Sequence, residues 1–295
     1  MKKISILFLF ISQLSFAQTD SLKALKIAVG VEAGIYASSL YGLNKLWYSD
    51  YPKSKFHWYN DNDAWLQMDK VGHAYSAYQA GLLGMDVMRW SGVPEKKAFW
   101  YGGAYGAIFL TTIEILDGHS AEWGASWGDL IANTSGSALL IGQELLWQEQ
   151  RLQFKYSFYP SKYADQNPSL LGENTLQQAL KDYNAQTLWI SANINSFLPN
   201  IKLPNWLNIA FGYGADGMTS GTLFDQHEFL VGGCYLNPRN RQYYLSLDVD
   251  LRKIDTGTAF FNKALKVLSF IKIPLPAMMY NSKGEFQFYS IYYGQ

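Results

Sequence analysis

Asp69 and His73 stand four residues apart in Asp69-Lys70-Val71-Gly72-His73, a spacing that puts both on one helix face with Ser76 and Ala80. Glu114 and Asp117, three apart, close a second apolar segment. A third polar run, SAEWGASWGD at residues 120–129, continues to Asn133, so that Asp129 and Asn133 again share a face. Drawing the helix ends together would place Asp69, His73, Glu114, Asp117 and Asp129 in one pocket. Carboxylates and an imidazole at that density suit either a general acid–base pair or a divalent metal. For the acid–base reading, His73 is the base, Asp69 or Asp129 orients it, and Glu114 is acid or ligand. For the metal reading, His73, Glu114 and Asp117 are the candidate ligands. A structural account of the same residues also stands. Asp69 and Asp129 each begin a helix, where a carboxylate caps the backbone or complements the dipole. His73 would then be an interior histidine bonded to Glu114, and Asn133 an interhelical hydrogen bond.

Other residues carry weaker signals. His119 and Glu122 lie in the loop before Asp129. His57, beside Trp58 and Tyr59, reads as an aromatic packing segment, and His227 with Glu228 as solvated. Gly212, Gly214 and Gly217 form a turn and not a phosphate loop, because no Lys-Ser/Thr follows. A Gly-x-Ser-x-Gly elbow is missing, which argues against an ordinary serine hydrolase.

Helices are expected to position the polar residues: 22–47, 69–90 (stopped by Ser91, Gly92 and Pro94), 95–116 and 130–147. Glycines at 81, 84, 102, 103 and 106 permit close backbone approach. The uncharged stretch 98–113 is shorter than the ~20 residues a bilayer crossing takes. The loop 117–129 holds no Lys or Arg, whereas a four-span topology needs it basic and cytoplasmic. A helical bundle resting on or partly in a membrane is the expectation. From residue 152 the character changes. A polar link around 160–173 precedes period-two strands at 188–195, 207–213, 229–236, 243–251 and 286–293. Residues 259–271 form an amphipathic helix with Phe260, Phe261, Ala264, Leu265 and Leu268 on one side. A closed bacterial barrel takes at least eight strands of roughly ten residues, so an open antiparallel sheet packed on helices is expected.

Composition narrows the setting. Lys plus Arg and Asp plus Glu are both 24, so no net field draws nucleic acid. Only 16% of the 295 residues are charged, while 16% are aromatic. Ordinary soluble domains are about a quarter charged, so the chain is densely packed or touches membrane. Lys2, Lys3, the apolar stretch 4–11 and Ser15-Phe16-Ala17 form an export signal with cleavage expected before Gln18. The cleavage point carries no lipobox cysteine, and the single Cys234 allows no intramolecular disulfide.

The segments DKVGHAYSAYQAG and IEILDGHSAEWGASWGDLIANTSG resemble the YfiM-like envelope proteins of unknown function, domain of unknown function 2279. The matching positions are Asp69, Lys70, His73, Glu114, Asp117, Ser126, Trp127, Asp129 and Leu130, within about 65–143. A fainter similarity extends to VanZ-like membrane proteins. From the polar spacing, the expected catalytic residues are His73, Asp69, Glu114 and Asp129, with Lys70, Asp117, Ser126, Trp127 and Asn133 binding; the resemblance adds that the matched positions form a functional polar site. It implies no reaction.

The expectation is an exported α+β protein of the periplasm or outer membrane. Residues 1–17 are the signal peptide, 18–150 a bundle of about four helices, 151–180 a linker, and 181–295 an antiparallel β-rich domain with one amphipathic helix. Its function is envelope assembly or binding of an envelope lipid, glycan, metal or outer-membrane protein. The alternative is a hydrolase of envelope lipid or glycan, and a third reading is a hydrogen-bonded core with function in the aromatic tail.

Overall fold

The computed structural model describes residues 21–49, 51–222 and 238–294. The expected export signal, the strand at 229–236, and Cys234, His227 and Glu228 lie outside the described residues. The architecture is α+β, with helices first and an antiparallel sheet after them.

Helix α1 (Ser21–Leu43) continues through a π turn, Asn44–Tyr48. Helix α2 (Met68–Trp90) follows a long loop. Residues expected as one helix at 95–116 form α3 (Glu95–Lys97), a π turn (Ala98–Gly102) and α4 (Gly103–Asp117). Helix α5 (Trp127–Trp147) starts three residues before the expected 130. The reason is Ser126, whose Oγ accepts from the Asp129 backbone N–H at 3.3 Å and caps the first turn. Asp129 is therefore not the cap, and neither is Asp69, because α2 is entered from a left-handed Gln67 with no side-chain cap.

Helix α2 lies at the centre, packed on α4 and α5 and against the sheet. Glycines set these spacings. A Cβ on Gly106 would sit 1.9 Å from the Ala77 carbonyl oxygen, and one on Gly136 2.1 Å from that of Ala74. Tyr78, Met85, Phe99, Leu140 and Ile141 share one core with Phe154 of the first strand. Met68 joins Leu188, Ala215 and Met218 in another, so helices and sheet are fastened by common apolar packing. Each such buried side chain contributes roughly 2 kcal/mol.

The strands are β1 (Leu152–Phe158), β2 (Gln186–Asn193), β3 (Leu207–Asp216), β4 (Asn240–Val249), β5 (Ala277–Asn281) and β6 (Phe286–Tyr289), each antiparallel to the next. Strand β1 falls where a linker was expected and β5 was not foreseen. The rest of that stretch holds α6 (Pro168–Leu171) and α7 (Thr175–Lys181). Strand β2 stops at Asn193, whose side chain caps the short α8 (Ile194–Phe197). Helix α9 (Ala259–Val267) gives way to a 3-10 turn, Leu268–Phe270.

The polarity of the sheet is the reverse of a water-facing one. Ile209, Phe211, Leu245, Leu247, Met278 and Tyr280 point outward and are each 40–55% exposed. The opposite face buries Lys155, Ser191, Asn193, Asn208, Asp248 and Asp250, around Trp189, Tyr244 and Tyr292. Lys155 Nζ lies 2.7 Å from Asp248, both fully buried, and donates to the Val249 carbonyl at 2.6 Å. Helix α2 covers only the outward face near β1 and the adjoining part of β2 and β3, through Val71 and Tyr75 against Leu188 and Tyr213. Among the described residues no helix is long and apolar enough to cross a membrane.

Candidate functional site

Asp69, Lys70 and His73 project from the first turns of α2 toward the start of α5 and the end of α4. Lys70 Nζ is the hub of an acidic ring, 2.7 Å from Asp61, 2.8 Å from Asp129 Oδ2 and 3.1 Å from Asp69 Oδ2. The imidazole of His73 stands behind it. His73 Nδ1 is 2.9 Å from Asn133 Oδ1 and 3.7 Å from Glu114 Oε1. His73 Nε2 faces the other way, 3.7 Å from Asp69 Oδ1 and 3.9 Å from Asp129 Oδ1. Tyr183, from the sheet half of the chain, donates to Asp69 Oδ1 at 2.6 Å.

The approach to the cluster is fixed by an unusual turn. Trp65, Leu66 and Gln67 all have positive φ, near 51°, 50° and 64°, a conformation that costs L-residues roughly 1–2 kcal/mol each. Tertiary contacts hold it. The Trp65 N–H donates to the Gly221 carbonyl at 2.8 Å, Tyr213 donates to the Leu66 carbonyl, and Arg241 donates to Gln67 at 2.8 Å. Asp69 and Lys70 thus begin a helix anchored to the sheet.

Burial and charge tune the groups against one another. Burial pushes Asp129 up to about 7, reinforced by Asp69 and opposed by His73 and Lys70. Burial likewise takes Glu114 up to about 8, against the pull of His73 and the Ser126 N–H. For Asp69 burial pulls upward, but His73, Lys70 and the Tyr183 hydroxyl prevail and hold it below the usual carboxylate range. Burial disfavours charge on His73, yet Asp69, Asp129 and Glu114 together raise it above the ordinary imidazole value. Lys70 is raised in the same way by Asp69 and Asp129. Three buried polar atoms here make no hydrogen bond: Glu114 Oε1, Asp129 Oδ1 and Asn133 Nδ2.

Asp69, Lys70, His73, Glu114, Asp129 and Asn133 therefore come together. Ser126 stands at the edge, its N–H donating to Glu114 Oε2 at 3.0 Å and its hydroxyl to Asp61 at 2.6 Å. Asp117 accepts from the Tyr48 hydroxyl at 2.6 Å. Trp127 is 64% exposed and stacks on Trp58, with ring centroids 4.3 Å apart, outside the cluster. His119 packs edge-on to Phe56, Glu122 is exposed, and His57 bonds to Ser54 and the Lys55 carbonyl. Asp61, Tyr183 and Tyr48 were not foreseen. Asp61 lies in a loop without periodicity, and Tyr183 is 114 residues from its partner, so neither leaves a local signal.

Beside Lys70 an apolar groove of about 320 Å³ runs between α2 and the outward face of the sheet, lined by Val71, Ala74, Phe154, Ile190 and Phe211. The groove joins the polar cluster to the exposed apolar face.

Residues 57–142 match the model of a family described as predicted periplasmic lipoprotein, domain of unknown function 2279. That stretch holds Asp61 and every cluster residue from Asp69 to Asn133, while Tyr48 and Tyr183 reach in from outside it. No curated protein and no solved structure matches the chain.

Proposed function

We propose that this chain is an exported envelope protein that seats the outward face of its sheet against a membrane and binds an amphiphilic envelope lipid. The polar head would sit at the Lys70 cluster and an acyl chain in the adjoining groove. The observation that carries this reading is the inverted sheet. Alternation of apolar-out with polar-in is the pattern of strands that face lipid; β4 follows it residue by residue, and β3 turns Ile209 and Phe211 outward over inward Asn208, Ala210 and Gly212. Their outward side chains carry no charge between Leu207 and Tyr213 or between Tyr243 and Val249. The outlying charge is Arg241, which turns to Gln67. The family described as periplasmic supports export, and the YfiM-like resemblance of the cluster belongs to the same reading, with the periplasmic side of the outer membrane as its place.

Flotation of the detergent-purified mature chain, reconstituted with vesicles of envelope phospholipid, tests it. The wild type should rise with the vesicles, and a Phe211→Glu/Leu245→Glu variant with an unchanged circular-dichroism spectrum should stay below. A wild type that stays below ends the proposal.

The second reading, a hydrolase of envelope lipid or glycan, would take His73 as base, its Nδ1 fixed on Asn133 Oδ1 at 2.9 Å and its Nε2 beside Asp69 and Asp129. It requires turnover that His73→Ala abolishes in a folded, correctly located protein.

A further inference from the structure

We propose that Asp69 Oδ1, His73 Nε2 and Asp129 Oδ1 bind one first-row divalent cation of the Zn²⁺ or Mn²⁺ type. The inference goes beyond the lipid reading and does not depend on it. One ligand atom from each of the three side chains lies within 4.8 Å of the others, and His73 Nε2 is 3.7 Å from Asp69 Oδ1 and 3.9 Å from Asp129 Oδ1. Ligands held at about 2.0–2.2 Å from such an ion stand roughly 3–4 Å apart, so side-chain adjustments of under an ångström close the set around a metal.

An independent feature points to a ligand at this spot. Asp129 is only 3% exposed, yet its Oδ1 accepts no hydrogen bond and is aimed at His73 Nε2, 3.9 Å away. A buried carboxylate oxygen left without a donor costs about 1–3 kcal/mol, more when charged. A cation between it and the imidazole removes that cost.

The surroundings are arranged as supports of a metal site are. His73 Nδ1–H donates to Asn133 Oδ1 at 2.9 Å, which leaves the Nε2 lone pair facing the two aspartates. Lys70 holds the far oxygen of each aspartate, and Tyr183 donates to the near oxygen of Asp69. Asp61, Asp69 and Asp129 crowd around the single ammonium of Lys70. One imidazole with two carboxylates suits Zn²⁺ or Mn²⁺ better than an all-oxygen Ca²⁺ cage. The side chains of Asp69 and His73 are 18% and 19% exposed, which leaves a path for the ion and for further ligands. This set differs from His73, Glu114 and Asp117, because Glu114 lies on the Nδ1 side of the ring and Asp117 is held by Tyr48.

The test is electron spin-echo modulation of the mature full-length chain, purified in detergent and titrated with Mn²⁺, with Zn²⁺ as competitor. The expected result is one Mn²⁺ per chain, a ¹⁴N modulation from one directly bound imidazole, and displacement by Zn²⁺. His73→Gln should abolish the modulation, and Asp129→Asn should weaken binding at least tenfold. His57→Gln should change neither. Three outcomes overturn the proposal: no saturable binding of either ion, saturable binding without nitrogen modulation, or full modulation retained in His73→Gln. The wild-type signal decides by itself if a variant fails to fold. Binding is read without vesicles, so failure here leaves the lipid reading standing, and failure to float leaves this one.

Discussion

Two neighbouring carboxylates show how much environment outweighs residue type at the scale of single side chains. Asp69 is held below the usual range by a hydroxyl and two cations, whereas Asp117 is lifted to about 6 by burial against the lowering effect of Tyr48. The Asp117 shift makes a pH prediction. An aspartate whose folded value lies above its ordinary 3.8 binds more proton in the native than in the unfolded state between those limits. Stability contributed by that proton is present at low pH and is lost as pH rises from about 4 through 6. Asp117→Asn keeps an acceptor for Tyr48 and cannot ionise. Urea unfolding at pH 4 and at pH 7 should therefore show the wild type losing about 1–2 kcal/mol relative to the variant, after allowance for partial exposure. The reverse slope would mean that Asp117 is stabilised as its anion. Local spacing was enough to bring Asp69, His73, Asp129 and Asn133 into one expected cluster, because i and i+4 positions share a face whatever the tertiary fold. It could not supply Tyr183 or Asp61, whose partners are chosen by chain geometry far along the sequence.

At the scale of elements, helix spacing is what holds the cluster to its dimensions. Helix α5 carries Asp129 and Asn133, and Gly136 lies one turn beyond Asn133 where the helix meets α2 most closely. The neighbouring atom is the Ala74 carbonyl oxygen, backbone and not the end of a pliable side chain. Gly136→Ala should thus move α5 outward, destabilise the fold by about 1–3 kcal/mol, and weaken Mn²⁺ binding, because Asn133 and Asp129 move with the helix. Thermal unfolding alongside the Mn²⁺ titration checks both effects. Normal ion affinity in a destabilised protein would separate the packing from the site. The four helix spans were legible from their apolar spacing and stop residues. Strand β1 was not, because Lys155 interrupts it. In this sheet the lysine is an interior residue paired with Asp248, which a pattern that assigns charge to the surface reads as a linker.

The same reversal decides how the molecule as a whole meets its surroundings. Alternation in β4 was evident from Leu245, Leu247 and Val249, but periodicity alone does not say which face is inside. Burial answers it: Tyr244, Ser246 and Asp248 are enclosed, and Leu245 and Leu247 are 42% and 45% exposed. Burying Lys155, Lys272 and Asp248 costs desolvation that a water-facing sheet avoids by turning such residues out. Burial indeed pulls Lys272 down to about 8, with Lys155 adding to the effect and Asp248 opposing it. Helix α9 adds a further apolar surface, with Phe260 and Phe261 70% and 58% exposed and Lys266 paired to Asp86 at 2.8 Å. Exposed apolar area on this scale marks an interface, and in plain buffer it has only other copies of the chain to cover it. Sedimentation velocity without detergent should therefore show the wild type assembling beyond the monomer. Leu245→Lys/Leu247→Lys should shift it toward monomer while leaving the melting temperature within a few degrees, since half-exposed side chains lend the core little. Tyr244→Lys, on the enclosed face of the same strand, should instead unfold the sheet. A wild type that stays monomeric in water would mean that the outward face needs no cover, and lipid would then be the wrong partner for it.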